Sequence, residues 1–309
     1  MFVVVNPKAN GSTESRWPGV RAELERRRPE LRWAAPESAV AAERAVHAEL
    51  AAGTSTVVAA GGDGTVNLVL NALMDPATDR PRNPETALGA VGLGSSNDFH
   101  KPFAADRAVA GVPVRIDADA ATLVDVGKAT MMLTDGRTEV RYFLLNASMG
   151  LVAAGNHFFN TAPGLVQRLK RRNTEAAIIY SALRNIATFR PLAIDILGAD
   201  WKHQGPITNV GVLKTPHFAG GMRYDTGVRA ADGQFDVNIW SPASRLRILG
   251  LIAGLYQGKF SQSPLATCRR GAVVDLIPGA PSALELDGEV IVVGSARLEV
   301  LPAVLRVCG

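Results

Sequence analysis

Cysteine is nearly absent from this 309-residue chain, with Cys268 and Cys308 the only two. Two thiols make no disulfide framework and lack metal-ligand spacing, which points to a reducing, cytoplasmic setting. The five histidines, His47, His100, His157, His203 and His217, show no metal-binding spacing either. Long apolar runs are missing: the longest, residues 249–256, falls far short of the roughly 20 residues a bilayer-spanning helix requires. The opening Phe2-Val3-Val4-Val5 is too short for a secretory signal and has no basic lead. Low-complexity tracts, heptads and solenoid periods are absent, which excludes disordered, coiled-coil and repeat architectures. No aromatic residues interleave with the basic ones, so nucleic acid is not an expected partner.

What is present describes a globular enzyme-sized chain, 47% hydrophobic and 20% charged, with length for about two domains. The net charge of +4 suits ordinary solubility. Its distribution says more. Arg168, Lys170, Arg171 and Arg172 follow the apolar Phe158-Phe159 and Leu165-Val166, and Arg245 and Arg247 precede Leu249-Gly250-Leu251-Ile252. Basic residues beside apolar ones suit an anionic membrane surface, although a run such as 249–256 also reads as a core helix.

The first third alternates strand and helix patterns. Strands are expected at 2–5, 31–35, 56–60 and 87–91, as short continuous apolar runs of a parallel sheet buried on both faces. A charged helix is expected over 14–28, with Pro18 and Gly19 obscuring its start. Pro36 and Ser38 introduce an alanine-rich helix that Gly53 stops. Val66, Val69, Leu70, Leu73 and Met74 keep helical spacing after a glycine loop. From about residue 122 the rhythm becomes that of short antiparallel strands: 123–126, 138–146, 192–197, 208–213, 235–240, 272–277, 284–286 and 290–293, interrupted by a helix at 175–189. The reading is a nucleotide-binding α/β domain over 1–122 and a β-sandwich substrate domain over 123–309, with a cleft between them. The last strands, from 297 to 307, fit either domain.

Three loops each follow an apolar strand: Asn6-Pro7-Lys8-Ala9-Asn10-Gly11, Gly61-Gly62-Asp63-Gly64-Thr65 and Gly94-Ser95-Ser96-Asn97-Asp98. In a parallel sheet all three lie at the carboxyl edge, where open α/β sheets bind ligands. Glycine lets backbone N–H groups approach phosphate, and the helix after Thr65 adds its positive N-terminus. Asp63 and Asp98 would repel bare polyphosphate, whereas Mg²⁺ between them and the phosphates makes the arrangement attractive. Each aspartate, and Asn97, also reads as a helix cap. No Walker P-loop, dinucleotide Gly-x-Gly-x-x-Gly or protein-kinase signature occurs.

Together with Val5-Asn6-Pro7-Lys8-Ala9 and Asp287-Gly288-Glu289, these loops resemble the diacylglycerol kinase catalytic-domain family, which includes bacterial lipid kinases and sphingosine kinases. Supporting matches are Val124-Asp125-Val126-Gly127, Asn146-Ala147-Ser148-Met149-Gly150 and Ala231-Asp232-Gly233-Gln234-Phe235-Asp236-Val237. The resemblance spans nearly the whole chain and implies an NAD kinase- and diacylglycerol kinase-like α/β fold followed by a β-rich sandwich. It implies that Asn6, Gly62, Asp63, Gly64, Thr65, Gly94, Ser95 and Asn97 surround ATP. Asp98 would join a Mg²⁺ network, and Asp232 would hold a structural Mg²⁺ with the Gln234 carbonyl. Asp287 would be the base facing a lipid hydroxyl, with Glu289 close by. Two departures stand out: Gly92-Leu93-Gly94-Ser95 replaces the usual Pro-Leu-Gly-Thr, and Ser12 follows Gly11 where some members carry lysine.

The expected activity is ATP- and Mg²⁺-dependent phosphorylation of a lipid hydroxyl, diacylglycerol first, with transient membrane contact. Sphingosine- or ceramide-type lipids, a small soluble alcohol such as NAD, and a non-catalytic nucleotide or lipid sensor are the alternatives. ATP against GTP, and monomer against homodimer, stay open. Locally, Asp287-Gly288 and Asp232-Gly233 also read as plain hairpin turns, as Asp135-Gly136 does. Ser148 lacks the first glycine of a nucleophile elbow, which disfavours a hydrolase.

Overall fold

The computed structural model describes residues 1–7, 12–103, 107–161 and 174–309. The chain opens β1 (Phe2–Val5), α1 (Ser12–Arg27), β2 (Arg32–Ala34), α2 (Ala39–Ala51), β3 (Thr56–Gly61) and α3 (Asp63–Leu73). A small hairpin of β4 (Met74–Asp75) and β5 (Arg80–Pro81) leads to β6 (Ala87–Gly92). Strands β2, β1, β3 and β6 lie side by side in that order, all parallel. Strands β1, β3 and β6 are buried along their whole length, which is why their sequences are unbroken apolar runs.

Helices cover both faces. Trp17, Val20 and Leu24 of α1 pack with Val3, Val5, Val58 and Ala60 on one side. Pro18 lies inside α1 rather than at its start. Proline within a helix costs about 3 kcal/mol. Burial of the three apolar side chains that flank it offsets that cost. On the opposite face Val46 of α2 and Val66, Val69, Leu70 and Leu73 of α3 meet Phe2, Val4, Val57 and Ala59. Helix α2 is entered through Ser38, whose hydroxyl accepts the Ala41 N–H at 3.2 Å.

A 3₁₀ turn (Asp98–Phe103) follows β6, then β7 (Ala108–Val109) and β8 (Val112–Arg115). The β-rich part comprises β9 (Thr122–Leu133), β10 (Thr138–Phe143), β11 (Asn146–Gly150), α4 (Leu151–Thr161), α5 (Thr174–Thr188), β12 (Leu192–Leu197), β13 (Lys202–Ile207) and β14 (Asn209–Leu213). It continues with β15 (His217–Phe218), β16 (Met222–Arg223), β17 (Phe235–Trp240), α6 (Arg245–Gln257), β18 (Ala266–Gly271), β19 (Val273–Pro278), β20 (Ser282–Leu286) and β21 (Glu289–Val307). One antiparallel layer runs β10, β9, β21, β19, β12, β13. The other runs β20, β11, β14, β17, β18. Their facing side chains, among them Phe143 stacked on Phe235 with centroids 5.6 Å apart, make the sandwich core.

Strand β21 joins everything. It pairs with β20 up to Val293, shifts register between Val293 and Ser295, then lies between β9 and β19. Its last residues, Arg306 and Val307, pair in parallel with Ala87 and Leu88 of β6. The segments read separately at 290–293 and 297–307 are therefore one strand. The single strand read at 138–146 is instead two, broken at Leu144-Leu145, because the backbone there turns its N–H groups toward the site described next. The run 249–256 belongs to α6, whose Ile248, Leu251 and Leu255 are buried while Leu246, Leu249 and Tyr256 are exposed. Phe158-Phe159 falls in α4, but Leu165-Val166 and the basic cluster Arg168, Lys170, Arg171 and Arg172 lie outside the described residues, as do Lys8 to Gly11 of the first loop.

Candidate active site

A cleft of about 530 Å³ opens where the carboxyl ends of β1, β3 and β6 meet the β20–β21 turn. Asn6, Gly62, Asp63, Gly64, Thr65, Gly94, Ser95, Asp98, Asp287 and Glu289 all line it, so a single cavity gathers residues from loops nearly 300 positions apart. Of the residues expected around a nucleotide, Asn97 is the one that stays behind the wall. It adopts a left-handed backbone (φ 49°). Its side chain accepts the Gly94 N–H at 3.0 Å and donates to the Gly94 and Gly92 carbonyls at 2.9 and 3.2 Å, so it shapes the loop rather than facing the cleft.

The glycines hold two loops in backbone contact. A Cβ on Gly94 would stand 2.4 Å from the Gly62 Cα, and one on Gly61 would meet the Thr65 hydroxyl at 2.2 Å. Gly94 and Leu93 donate to the Gly61 carbonyl at 3.1 and 2.9 Å. Asn6 Nδ2 donates to Thr65 Oγ1 at 3.2 Å, fastening the first loop to the start of α3. Helix α3 thus presents its N-terminus, capped by Gly62, to the cleft. That end favours an anion. Asp63 reaches across: its carboxylate accepts the Asp98 and Phe99 N–H groups at 3.1 and 3.0 Å, capping the 3₁₀ turn. Burial raises its pKa, against the pull of those N–H donors and with the added repulsion of Asp98.

Asp98 is buried and has a partner the first loop did not need to supply. Lys101 Nζ lies 2.6 Å from Asp98 Oδ1 and also donates to the Gly220 carbonyl, while the Gly220 N–H donates to Asp98 Oδ2 at 3.2 Å. Sequence reading passed over Lys101, although its i,i+3 spacing from Asp98 was the available signal.

Asp287 and Gly288 both have positive φ, 49° and 93°, and make the two-residue turn joining β20 to β21. The turn reading and the functional one coincide. The Asp287 side chain points away from solvent into four N–H donors. Its Oδ2 accepts from Leu144 N at 2.8 Å and Asn67 Nδ2 at 3.1 Å. Its Oδ1 accepts from Leu145 N at 2.9 Å and Asn146 N at 3.1 Å. Burial pushes its pKa up to about 6 while the four donors pull it down. Asn67 is itself steered by the Tyr142 carbonyl at 2.9 Å and by Asn71, whose Nδ2 donates to Asn67 Oδ1 at 3.1 Å. Glu289 is exposed beside the glycine loop, where a Cβ on Gly64 would meet its Oε1 at 2.9 Å.

Glu285, two residues before Asp287 and on the same side of the strand, is a further buried acid on the cleft wall. It accepts from Ser148 Oγ at 2.5 Å and from the Gly288 N–H at 2.6 Å, and burial raises its pKa to about 7. Asp232 and Gln234, expected at a structural metal, are not part of the cleft lining. Asp232 lies between Lys214 and Arg270, and the Gln234 carbonyl accepts from Lys214 Nζ at 2.7 Å.

The lining carries Glu37, Asp63, Asp98, Glu285, Asp287 and Glu289 but, among the described residues, no lysine or arginine. Cations brought with a polyphosphate offset its repulsion by these carboxylates. Hard carboxylate oxygens suit Mg²⁺, and among the described residues each oxygen of Asp63 and Asp98 accepts a single hydrogen bond, out of two lone pairs. Among the described residues no group of three or more His, Cys, Asp or Glu is placed to hold a metal. A magnesium ion here would therefore draw most of its oxygens from phosphate and water.

Comparison with known proteins bears on the family and the fold. Residues 1–129 match the diacylglycerol kinase catalytic domain, and residues 150–309 match the YegS C-terminal NAD kinase β-sandwich-like domain. A protein of Pseudomonas fluorescens named probable lipid kinase YegS-like is 28% identical over 295 residues, spanning 93% of this chain and 89% of its own. The probable lipid kinase YegS of Escherichia fergusonii is 26% identical over 254 residues, 82% of this chain and 78% of its own. Among solved structures, a putative diacylglycerol kinase from Bacillus anthracis superposes with a TM-score of 0.71 at 19% identity, covering 99% of this chain and 96% of that one. Yeast NADH kinase shares the fold more distantly, with a TM-score of 0.51 at 12% identity over 100% of this chain and 82% of its own. With one family model matching its first 129 residues and the other residues 150–309, the chain belongs to the lipid kinase family defined by the diacylglycerol kinase catalytic domain and the YegS-type C-terminal sandwich.

Proposed function

We propose that this lipid kinase transfers the γ-phosphoryl group of ATP, as its Mg²⁺ complex, to the free hydroxyl of diacylglycerol, giving phosphatidic acid. The observation that carries the proposal is the shared cleft, in which the Gly62 and Gly94 loops and the Asp287 turn face one cavity. The triphosphate lies along the α3 N-terminus and the two glycine loops, where Asn6, Thr65 and Ser95 supply polar contacts. Asp98 and Asp63 are the carboxylates that would hold Mg²⁺, which would offset the charge of phosphates set among acidic side chains. Phosphoryl transfer runs through a loose transition state, so positioning and charge neutralisation outweigh early proton removal.

The lipid hydroxyl approaches from the Asp287 side. As its oxygen bonds to the γ-phosphorus and the bond to the bridging oxygen of ADP breaks, its proton passes to an Asp287 oxygen. Leu144, Leu145, Asn146 and Asn67 hold that carboxylate in place; each oxygen already accepts two N–H bonds, so the oxygen that takes the proton gives up one of them, late in the transfer as the loose transition state allows. Such base assistance is typically worth about 10²–10⁴ in rate. Glu289 lies beside Gly64, and in this reading it orients the hydroxyl toward the phosphate. Asp287 and Glu289 are the catalytic pair in this reading.

The apolar, outward face of α6, with Leu246 and Leu249 beside the exposed Arg245 and Arg247, supports transient contact with an anionic bilayer. No helix among the described residues is long and apolar enough to cross one. The test is phosphatidic acid formation from MgATP on mixed vesicles containing diacylglycerol. Product on diacylglycerol vesicles alone supports the reading, product only on sphingosine or ceramide vesicles moves the substrate class, and no lipid product on any of them refutes it.

A further inference from the structure

Below the cleft, a lysine stands where a metal ion was expected. Lys214 directly follows β14, and its side chain is 1% exposed. Its Nζ contacts Asp125 Oδ2 at 2.8 Å, Asp232 Oδ1 at 3.1 Å and the Gln234 carbonyl at 2.7 Å. Three hard oxygens from two distant segments thus converge on one positive atom, and all three ammonium protons have acceptors. Both carboxylates have further partners. Asp125 accepts the Asp232, Gly233 and Ala303 N–H groups at 3.1, 2.7 and 2.9 Å, and Asp232 Oδ2 pairs with Arg270.

We infer that the Lys214 ammonium is a built-in cation occupying the structural metal position, so that this chain folds without a divalent ion there. A magnesium ion holds its oxygens at about 2.0–2.1 Å and a calcium ion at about 2.3–2.6 Å. The three oxygens here are spaced around an ammonium, and Nζ fills the place an ion would take. The hub also supports the active site through the backbone. Lys214 N donates to the Leu145 carbonyl at 2.8 Å, and Leu145 N holds Asp287. The segment leaving Lys214 reaches Gly220, which donates to Asp98. Shortening the lysine takes the ammonium from Asp125, leaves Asp232 to Arg270 alone, and turns two carboxylates and the Gln234 carbonyl toward the vacated place, hard oxygens of the kind that Mg²⁺ or Ca²⁺ binds.

The test is the melting temperature of the nucleotide-free protein in EDTA and in millimolar Mg²⁺ or Ca²⁺. The wild type is expected to melt at the same temperature in all three. Lys214→Ala removes one partner of a buried ion network and should melt roughly 10 °C lower in EDTA, regaining several degrees with divalent ion. Adding Asp232→Asn to Lys214→Ala should abolish the regain. A wild-type stabilisation by divalent ion that Asp232→Asn removes overturns the inference, and so does a folded Lys214→Ala with no divalent response. If Lys214→Ala does not fold in EDTA, refolding in Mg²⁺ or Ca²⁺ gives the same decision: recovered protein supports the inference, and none with either ion overturns it. Melting reads no catalysis, so failure here is distinct from failure of the kinase reading.

Discussion

Replacing Asp287 with asparagine changes one oxygen to an NH₂ group and alters almost nothing in shape. Whichever way the amide points, two N–H donors that now end on a carboxylate oxygen end on another donor. If the NH₂ takes the Oδ2 place, those are Leu144 N and Asn67 Nδ2; in the other orientation they are Leu145 N and Asn146 N. Asn67 is not free to turn its own oxygen inward, because its Nδ2 also serves the Tyr142 carbonyl and its Oδ1 accepts from Asn71. Two buried donors left without an acceptor cost about 1–3 kcal/mol each, and removing the buried charge that burial disfavours returns part of that at neutral pH, so Asp287→Asn should lose roughly 2–4 kcal/mol after local relaxation. For a chain of this size that lowers Tm by on the order of 5–10 °C. The variant should stay folded at 25 °C, and its turnover should fall by about 10²–10⁴ through loss of the proton acceptor. Thermal melting and phosphatidic acid formation from MgATP and diacylglycerol vesicles, run on the same preparation, separate the two effects. Turnover within tenfold of wild type removes Asp287 as the base, and an unchanged Tm refutes the hydrogen-bonding account of its anchorage.

The backbone contact of Gly94 with Gly62 makes Gly94→Ala a test of the nucleotide loops: the KM for ATP should rise more than tenfold, and an unchanged ATP affinity by titration calorimetry would contradict the loop assignment. Activity should climb about tenfold per pH unit up to about pH 6, where Asp287 becomes ionised, and level off above; a flat profile from pH 5 to 7 removes the dependence on its carboxylate. Glu285 shows its titration in stability rather than in turnover. Its folded pKa of about 7 lies above its unfolded value, so the folded state holds the proton more tightly and the benefit is lost as pH rises through 7. Glu285→Gln, which can donate to Ser148 and accept from Gly288, should therefore gain on wild type at pH 8 relative to pH 5, by up to about 3 kcal/mol in denaturant melts; an equal difference at both pH values contradicts the buried-acid account. Leu246→Glu on α6 should reduce vesicle binding and lipid turnover severalfold without lowering Tm, because this side chain is 81% exposed; vesicle binding equal to wild type would remove α6 as the membrane face.

What the sequence disclosed was what is local along the chain. The runs 2–5, 56–60 and 87–91 had to be buried parallel strands, and the glycine loops after them had to share an edge. The Asp287-Gly288 turn was legible for the same reason, since two positive φ values in succession leave few choices of residue. The architecture and the family followed from these pieces. What stayed hidden depends on partners far apart in sequence. Asn67 meets Asp287 from 220 residues away, and Lys214 meets Asp125 from 89. Nothing about a lysine after an apolar strand announces that it will be buried in a cage of three oxygens. The break at Leu144-Leu145 was equally invisible, because an apolar run has no local reason to stop: it stops where its N–H groups leave the ladder for the Asp287 carboxylate. Glu285 and Lys101 were the recoverable omissions, one by strand period and one by i,i+3 spacing.

The most direct test of the central claim is the fate of the γ-phosphate. The protein is incubated with γ-labelled ATP, Mg²⁺ and diacylglycerol vesicles, and the label is partitioned between organic and aqueous phases. The account predicts label in an organic-phase product that co-migrates with phosphatidic acid, lost when Mg²⁺ is withheld and cut at least a hundredfold by Asp287→Asn. Label that stays aqueous, as inorganic phosphate or a phosphorylated soluble alcohol, on every lipid offered would contradict it.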